Sequence, residues 1–330
     1  MQTTTNLDSD TSRAEHPARA WSGDGRLDRP ARRIVSLLPS ATEIVCALGL
    51  GDRLVAVTHE CDFPPDAIAA LPRVTANLLR PELSRSAEID AAVRAGVSAG
   101  HGLYALDERL LADLKPDLVL TQELCSVCAV AYPTVLTAAR AAGGDDGPMV
   151  VSLEPRSVVD VLATIELVAR LAGVPERGLE LVGELQRRLA SIPRRSRAPR
   201  TAVVEWLDPL FAPGHWVPEQ LKHAGGRSVI GQSGERSRQA AWEDVAAAGP
   251  EVVIMGLCGF DLHRSLDEWA AFEAPAALRS TAAWARDQLW AIDGSAYVSR
   301  PGPRIVDGVE VMAAILADAE DPRAQRLTRA

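Results

Sequence analysis

The chain has 330 residues, 47% of them hydrophobic and 24% charged, enough for two compact α/β domains with cores of their own. Its formal net charge of -9 argues against nucleic acid or an anionic membrane as the main partner, since both demand a basic footprint. No stretch reaches the ~18 apolar residues of a membrane span, and Arg194-Arg195-Ser196-Arg197 reads as solvated linker rather than a binding patch.

Residues 1–33 are rich in Thr, Ser, Asp, Arg and Pro and read as a disordered tail. They hold nothing like the apolar centre of a secretory signal, which predicts a cytoplasmic protein. There the five cysteines are expected to be thiols rather than a disulfide framework.

A first strand is expected over 34–38. Ser40-Ala41-Thr42-Glu43 has capping-box spacing, so Ser40 is expected to cap a helix running to Leu48 and closed by Gly49 or Gly51. A second strand over 54–58 then implies a parallel pair with a right-handed crossover. A helix at 106–114, a strand at 118–122, a helix at 133–142 and a strand at 150–153 complete a first lobe over 34–155. From Val158, apolar residues recur at helical spacing through Leu171 and, past Gly173 and Pro175, through Leu189. This predicts a connecting spine over 156–192, as one helix of about 45 Å or two abutting ones. The second lobe, 200–317, repeats the scheme: strand 202–206, helix 217–223, helix 242–247, strands 252–255 and 289–292, and a closing helix from 303 to about 316. A polar tail, 318–330, is expected to fray. The predicted fold is α/β: two Rossmann-like lobes with parallel sheets, joined by a long spine helix, with a ligand cleft between them.

Two stretches far apart end alike. Leu114-Lys115-Pro116-Asp117-Leu118-Val119-Leu120 leads to a loop with Cys125, and Ala248-Gly249-Pro250-Glu251-Val252-Val253-Ile254 leads to a loop with Cys258. Open α/β sheets bind ligands beyond the carboxyl ends of their strands, so the post-strand loops are where function is sought.

Those loops carry Thr58-His59-Glu60-Cys61-Asp62-Phe63 and Gln122-Glu123-Leu124-Cys125-Ser126-Val127-Cys128. With Cys258 they supply four thiols and an imidazole, a donor set that favours zinc, iron or cobalt. His59, Cys61, Cys125, Cys128 and Cys258 are therefore a candidate metal site. Against it, one C-x-x-C is a weak signal, and loop cysteines are commonly half-buried thiols; Cys46, on the apolar side of the first helix, reads as core. Half of the fourteen aromatics, Phe63, Tyr104, Trp206, Phe211, Trp216, Phe260 and Tyr297, fall in the expected cleft loops. They either plug the lobe interface or wall a large, flat, partly apolar ligand. Arg300, in Ser299-Arg300-Pro301-Gly302-Pro303, is either a polar contact or a structural ion-pair partner. No phosphate-cradling loop, dinucleotide fingerprint or nucleophile elbow occurs. His215 follows Asp208 by seven residues without a serine to complete a triad.

The stretch 34–58, with Pro39-Ser40-Ala41-Thr42-Glu43, Leu48-Gly49 and Val55-Ala56-Val57-Thr58, resembles the opening of the helical-backbone class of substrate-binding proteins, which serve ABC importers of cobalamin, haem and siderophores. Lys115-Pro116-Asp117-Leu118-Val119-Leu120 and the closing helix agree with it over roughly 34–316. Thr58-His59-Glu60-Cys61-Asp62, Leu124-Cys125-Ser126-Val127-Cys128, Glu205-Trp206-Leu207-Asp208-Pro209-Leu210-Phe211, Gly214-His215-Trp216 and Cys258-Gly259-Phe260-Asp261-Leu262 are similar to its cobalamin-binding branch. The resemblance implies a monomeric, non-catalytic protein gripping cobalamin or a related corrinoid or tetrapyrrole.

On that implication the ligand residues are Ser40, Thr42, His59, Glu60, Tyr104, Glu123, Trp206, Asp208, Phe211, His215, Trp216, Phe260, Tyr297 and Arg300, with His59 approaching cobalt as an axial ligand. A transporter permease is a partner only if the chain is exported. Two other readings stand beside this one: an intracellular thiol-based zinc, iron or redox protein built on the cysteines and His59, and an enzyme that modifies a corrinoid through a cleft thiolate.

Overall fold

The structure, a computed structural model, describes residues 21–24, 29–79, 83, 85–98, 103–123, 132–143 and 147–328. The chain divides into two compact units. Unit 1 takes Met1–Pro81, Ala92–Pro155 and Val159–Gly183; unit 2 takes Glu82–Ala91, Arg156–Val158 and Glu184–Ala330.

In chain order the first elements are β1 (Trp21–Asp24), β2 (Ile34–Ser36), α1 (Pro39–Ala47), β3 (Leu54–Val57), α2 (Pro65–Ile68), β4 (Thr75–Asn77) and α3 (Ser86–Ser98). There follow β5 (Tyr104–Leu106), α4 (Glu108–Leu114), β6 (Leu118–Thr121), α5 (Tyr132–Gly143), β7 (Met149–Leu153), α6 (Val158–Leu171) and α7 (Pro175–Ser191). The sheet of unit 1 has the order β1-β7-β6-β2-β3, parallel except for β1. Every residue of β2, β6 and β7 is buried, as continuous apolar runs require in a sheet covered on both faces. Val35, Val119 and Val150 pack there with Leu111 and Val135 from α4 and α5.

The remaining elements are β8 (Arg200–Val204), β9 (Phe211–Ala212), α8 (Val217–His223), β10 (Arg227–Ser228), β11 (Arg238–Gln239), α9 (Trp242–Ala248) and β12 (Val252–Met255). Then come α10 (Leu262–Ala270), α11 (Ala276–Arg279), α12 (Ala282–Ala285), β13 (Leu289–Ile292), α13 (Gly294–Tyr297), α14 (Ile305–Leu316) and β14 (Ala324–Arg326). The sheet of unit 2 has the order β10-β8-β12-β13-β14, again parallel apart from its edge strand β14. Its core is aromatic: Trp242, Phe260 and Trp269 are buried with Val204, Val253, Met255 and Leu289.

The internal likeness read from the sequence has a structural basis at the amino ends of the two sheets. Lys115 after α4 and Gly249 after α9 both take left-handed backbone, at φ 44° and 60°, closing each helix before its Pro-acidic turn. Asp117 then accepts the backbone N–H groups of Arg32 and Arg33 ahead of β2. Glu251 likewise accepts that of Arg200 at the start of β8.

Three expectations need correction. Residues 1–33 are not all tail: Trp21–Asp24 pairs with β7, Ala31 is fully buried, and Asp117 accepts the N–H groups of Arg32 and Arg33. Ser40 is not a cap, because Pro39 already occupies the first turn of α1 and the N-cap is Leu38; proline's fixed φ suits that place. The spine takes the second of its two expected forms, the abutting helices α6 and α7 with Gly173 at φ 70° between them, and the last passage between units falls inside α7. The carboxyl-terminal segment is built in, since β14 pairs with β13 and Leu327 is buried.

Candidate functional site

At the carboxyl end of the unit 1 sheet, β2 and β3 run into a hydroxyl-rich cluster. Ser36 Oγ donates to Leu38 O at 2.9 Å and accepts from Thr42 Oγ1 at 2.9 Å, while Cys61 Sγ lies 3.0 Å from the same threonine oxygen. Thr42, Ser40 and Cys61 are buried, so the first two support the post-strand loop from inside α1. Beside them, Thr58 Oγ1 and Thr75 Oγ1 are 2.7 Å apart. Thr75 Oγ1 also accepts the backbone N–H of His59 at 3.1 Å and lies 2.7 Å from its Nδ1.

The His59 ring is half-buried against Tyr104, with centroids 5.2 Å apart. Its Nε2 is 3.1 Å from Glu60 Oε1 but off the line of a hydrogen bond, and it is shielded from solvent. His59 thus lies beside both Glu60 and Tyr104. Thr75 was missed, because it lies on the β4–β5 ribbon and no local pattern links it to His59.

Glu123 is exposed just beyond β6. Cys125 and Cys128 lie outside the described residues. Cys46 is half-buried rather than wholly in the core, and burial first, then the charge of Glu43, pushes its thiol up. Among the described residues no three His, Cys, Asp or Glu side chains group so as to hold a metal ion, and Cys258 is exposed. The described residues therefore supply no geometry for the thiol cluster.

Unit 2 ends differently. Phe260 is 1% exposed, with the Arg264 guanidinium 3.8 Å above its ring and Trp206 edge-on at 5.2 Å. Trp216 is buried too, and its Nε1 donates to Val298 O at 2.9 Å. Both rings are core, which corrects their placement as open cleft walls: the loops that carry them turn back over the sheet and bury large apolar area. Trp206 is partly buried and its Nε1 donates to Ser86 O at 3.2 Å. Ser86 is anchored in turn by Glu268, whose carboxylate accepts the Ser86 hydroxyl at 2.5 Å and its N–H at 3.1 Å.

Asp208 is exposed, Phe211 is half-buried in β9, and Arg300 is buried. Tyr297 is half-buried; burial first and then Asp293 raise its phenol. Asp293 itself is raised by burial, although its carboxylate accepts the Ala296 N–H at 2.7 Å.

His215 has φ 49° and is held by backbone bonds to Glu235 and Gly234. Gly214 precedes it because the backbone of Glu235, Arg236 and Ser237 occupies the space a Cβ would need. Burial, then Arg156, then Arg236, lowers the imidazole below its ordinary value. Its Nε2 is buried with no hydrogen-bond partner. The arginines' approach to His215 was not legible, since Arg156 sits some sixty residues earlier in the chain.

A family model described as periplasmic binding protein matches residues 34–288. The chain belongs to the periplasmic binding protein family. Within that family, the vitamin B12-binding protein of Vibrio cholerae serotype O1 is 27% identical over 301 residues, covering 88% of this chain and 91% of that protein. The vitamin B12-binding protein of Yersinia pestis (strain Pestoides F) is 23% identical over 307 residues, 89% and 90% of the two chains.

Among solved structures, the periplasmic vitamin B12 binding protein of Vibrio cholerae matches with a TM-score of 0.60 at 25% identity, over 88% of this chain and 98% of that one. A periplasmic heme-binding protein from Roseiflexus sp. RS-1 matches with a TM-score of 0.64 at 23% identity, over 87% and 98%. The heme-binding likeness shows the periplasmic binding protein fold alone.

Proposed function

We propose that this protein is a non-catalytic binding protein whose ligand is cobalamin or a closely related corrinoid. The observation that carries the reading is the 27% identity to a vitamin B12-binding protein along 88% of the chain. The sites agree with it in kind. In unit 1, His59 follows β3 of the parallel sheet and packs against Tyr104 of the β4–β5 ribbon, and in unit 2 the partly buried Trp206 follows β8. Such groups suit a ligand that has a broad apolar ring system and amide-bearing substituents.

The partner class that follows is an ABC transporter permease, with which binding proteins of this family work.

The test is retention. Reduced, purified protein is incubated with cobalamin, desalted, and its visible absorbance and metal content are measured. Corrinoid absorbance near one per chain supports the reading. A desalted protein without corrinoid overturns it.

A further inference from the structure

We propose, resting on the corrinoid reading above, that Glu268 and Ser86 form a latch that holds the segment 85–89 on unit 2, and that the latched segment fixes the indole of Trp206 as a ready-made apolar face for the ligand. The chain leaves unit 1 after Pro81 and returns to it at Ala92, so unit 2 borrows the start of α3 from the run between β4 and β5. The borrowed piece is built in. Ser86 is fully buried, and Ile89 packs on the aromatic core of unit 2.

What holds the segment is a buried acid. Glu268, on α10, is 4% exposed. Its Oε1 accepts the Ser86 hydroxyl at 2.5 Å and the Ser86 N–H at 3.1 Å, and its Oε2 lies 3.4 Å from Arg85 Nε. Among the described residues, every partner of this carboxylate thus comes from two consecutive residues of the borrowed segment. A buried ion pair adds little net stability, because desolvation offsets its attraction, yet removing one partner strands the other's charge. The carboxylate therefore gives the segment one seat and penalises leaving it.

That seat decides how Trp206 stands. The Ser86 carbonyl accepts the indole Nε1–H at 3.2 Å, and Phe260 meets the ring edge-on at 5.2 Å. The backbone is tied as well: the Phe211 N–H donates to Trp206 O at 3.0 Å, and the Phe211 carbonyl accepts the Glu205 N–H at 3.1 Å. An indole has a single polar hydrogen, and here the protein itself takes it. The exposed part of the ring is left with apolar carbon to offer, so Trp206 serves as a rigid stacking surface rather than as a donor to the ligand. Its orientation is set before binding, which spares the cost of ordering it later. Ser86 and Glu268 act through Trp206 and are positioning residues.

The difference between the parent and Trp206→Leu isolates the emission of this one indole with no ligand present. Two variants cut the latch: Glu268→Ala, and Ser86→Pro, which removes both Ser86 donors at a first-turn position that proline suits. Each should shift that emission to the red and raise its quenching by acrylamide. Glu268→Gln, which keeps an acceptor for Ser86, should stay near the parent, as should His263→Ala at an exposed site on the same helix. Unchanged emission in both cut variants overturns the latch. Equilibrium dialysis against cobalamin supplies the second readout. Trp206→Leu and Glu268→Ala should each weaken binding about tenfold, and Glu268→Ala should add less than about twofold once residue 206 is already leucine. A folded Glu268→Ala chain that binds as the parent does, or a loss of equal size in both backgrounds, overturns the positioning role. A parent that binds no cobalamin overturns the corrinoid reading and the ligand's part in this one, while the indole emission still decides the latch.

Discussion

The two units close the amino ends of their sheets in the same way and the carboxyl ends in opposite ways. Asp117 and Glu251 each follow a left-handed helix stop and a proline, and each clasps the backbone at the entry of the neighbouring strand. At the other end, unit 1 gathers Ser36, Thr42, Thr58, Thr75 and His59 into a hydrogen-bonded cluster. Unit 2 packs Phe260 and Trp216 into an apolar core and leaves Trp206 and His215 near its margin. The amino end is scaffold, where one solution serves both sheets; the carboxyl end is where the units have specialised. Hydrogen bonds orient a small number of atoms, whereas buried rings supply stability.

The largest test of that difference is Phe260→Ala. Removing a fully buried ring should cost about 3–5 kcal/mol, read as a lower midpoint in urea by the fluorescence of the tryptophans. A loss below about 1 kcal/mol would mean that the ring is not the keystone of unit 2.

Next come the twin clasps. Asp117→Ala and Glu251→Ala each leave strand-entry N–H groups without their carboxylate and should each cost about 2 kcal/mol. A wide gap between the two, measured side by side, would break the likeness of the amino ends. The acid side adds a second reading for Glu251. Its carboxyl is held below the ordinary carboxylate range first by the Arg200 N–H and then by Arg197. The stabilising contribution is therefore present above the unfolded value and lost as pH falls through the lower, folded one. Glu251→Gln should flatten the stability profile below about pH 4.5.

The smallest expected effect belongs to His215. Its folded imidazole is depressed by burial and by Arg156 and Arg236, so the unfolded chain takes up a proton first as pH falls. Stability should decline on acidification from the unfolded value near 6.5. His215→Gln should remove part of that slope in urea titrations between about pH 5 and 7, and a slope unchanged by the substitution would contradict the placement of that ring.

Much of the scaffold was readable from local pattern. The helix at 217–223 and the strands at 252–255 and 289–292 match their observed bounds, because each is an apolar or amphipathic run bracketed by proline, glycine or acidic residues. The two added edge strands, Trp21–Asp24 and Ala324–Arg326, were read as tails. Both are short and polar enough to lack alternation, and their order comes from partners far along the chain.

The candidate site was legible by half. His59 and Tyr104 stood out as polar and aromatic side chains beside a buried strand, and they do meet. Thr75 carries no motif, and its role arises only when the β4–β5 ribbon is laid beside His59. Phe260 and Trp216 misled for the converse reason: a post-strand position says where the backbone goes, not whether the side chain turns out or back into the core. The capping-box spacing at Ser40 failed because Pro39 starts the helix one residue earlier.

The central claim is the identity of the ligand, and competition decides it most directly. The full-length chain is dialysed to equilibrium against cobalamin and haemin at equal concentration, and both are quantified by absorbance inside and outside the membrane. The account predicts cobalamin enriched with the protein to about one per chain and haemin distributed evenly. Haemin enriched in its place, or neither ligand retained, would contradict it.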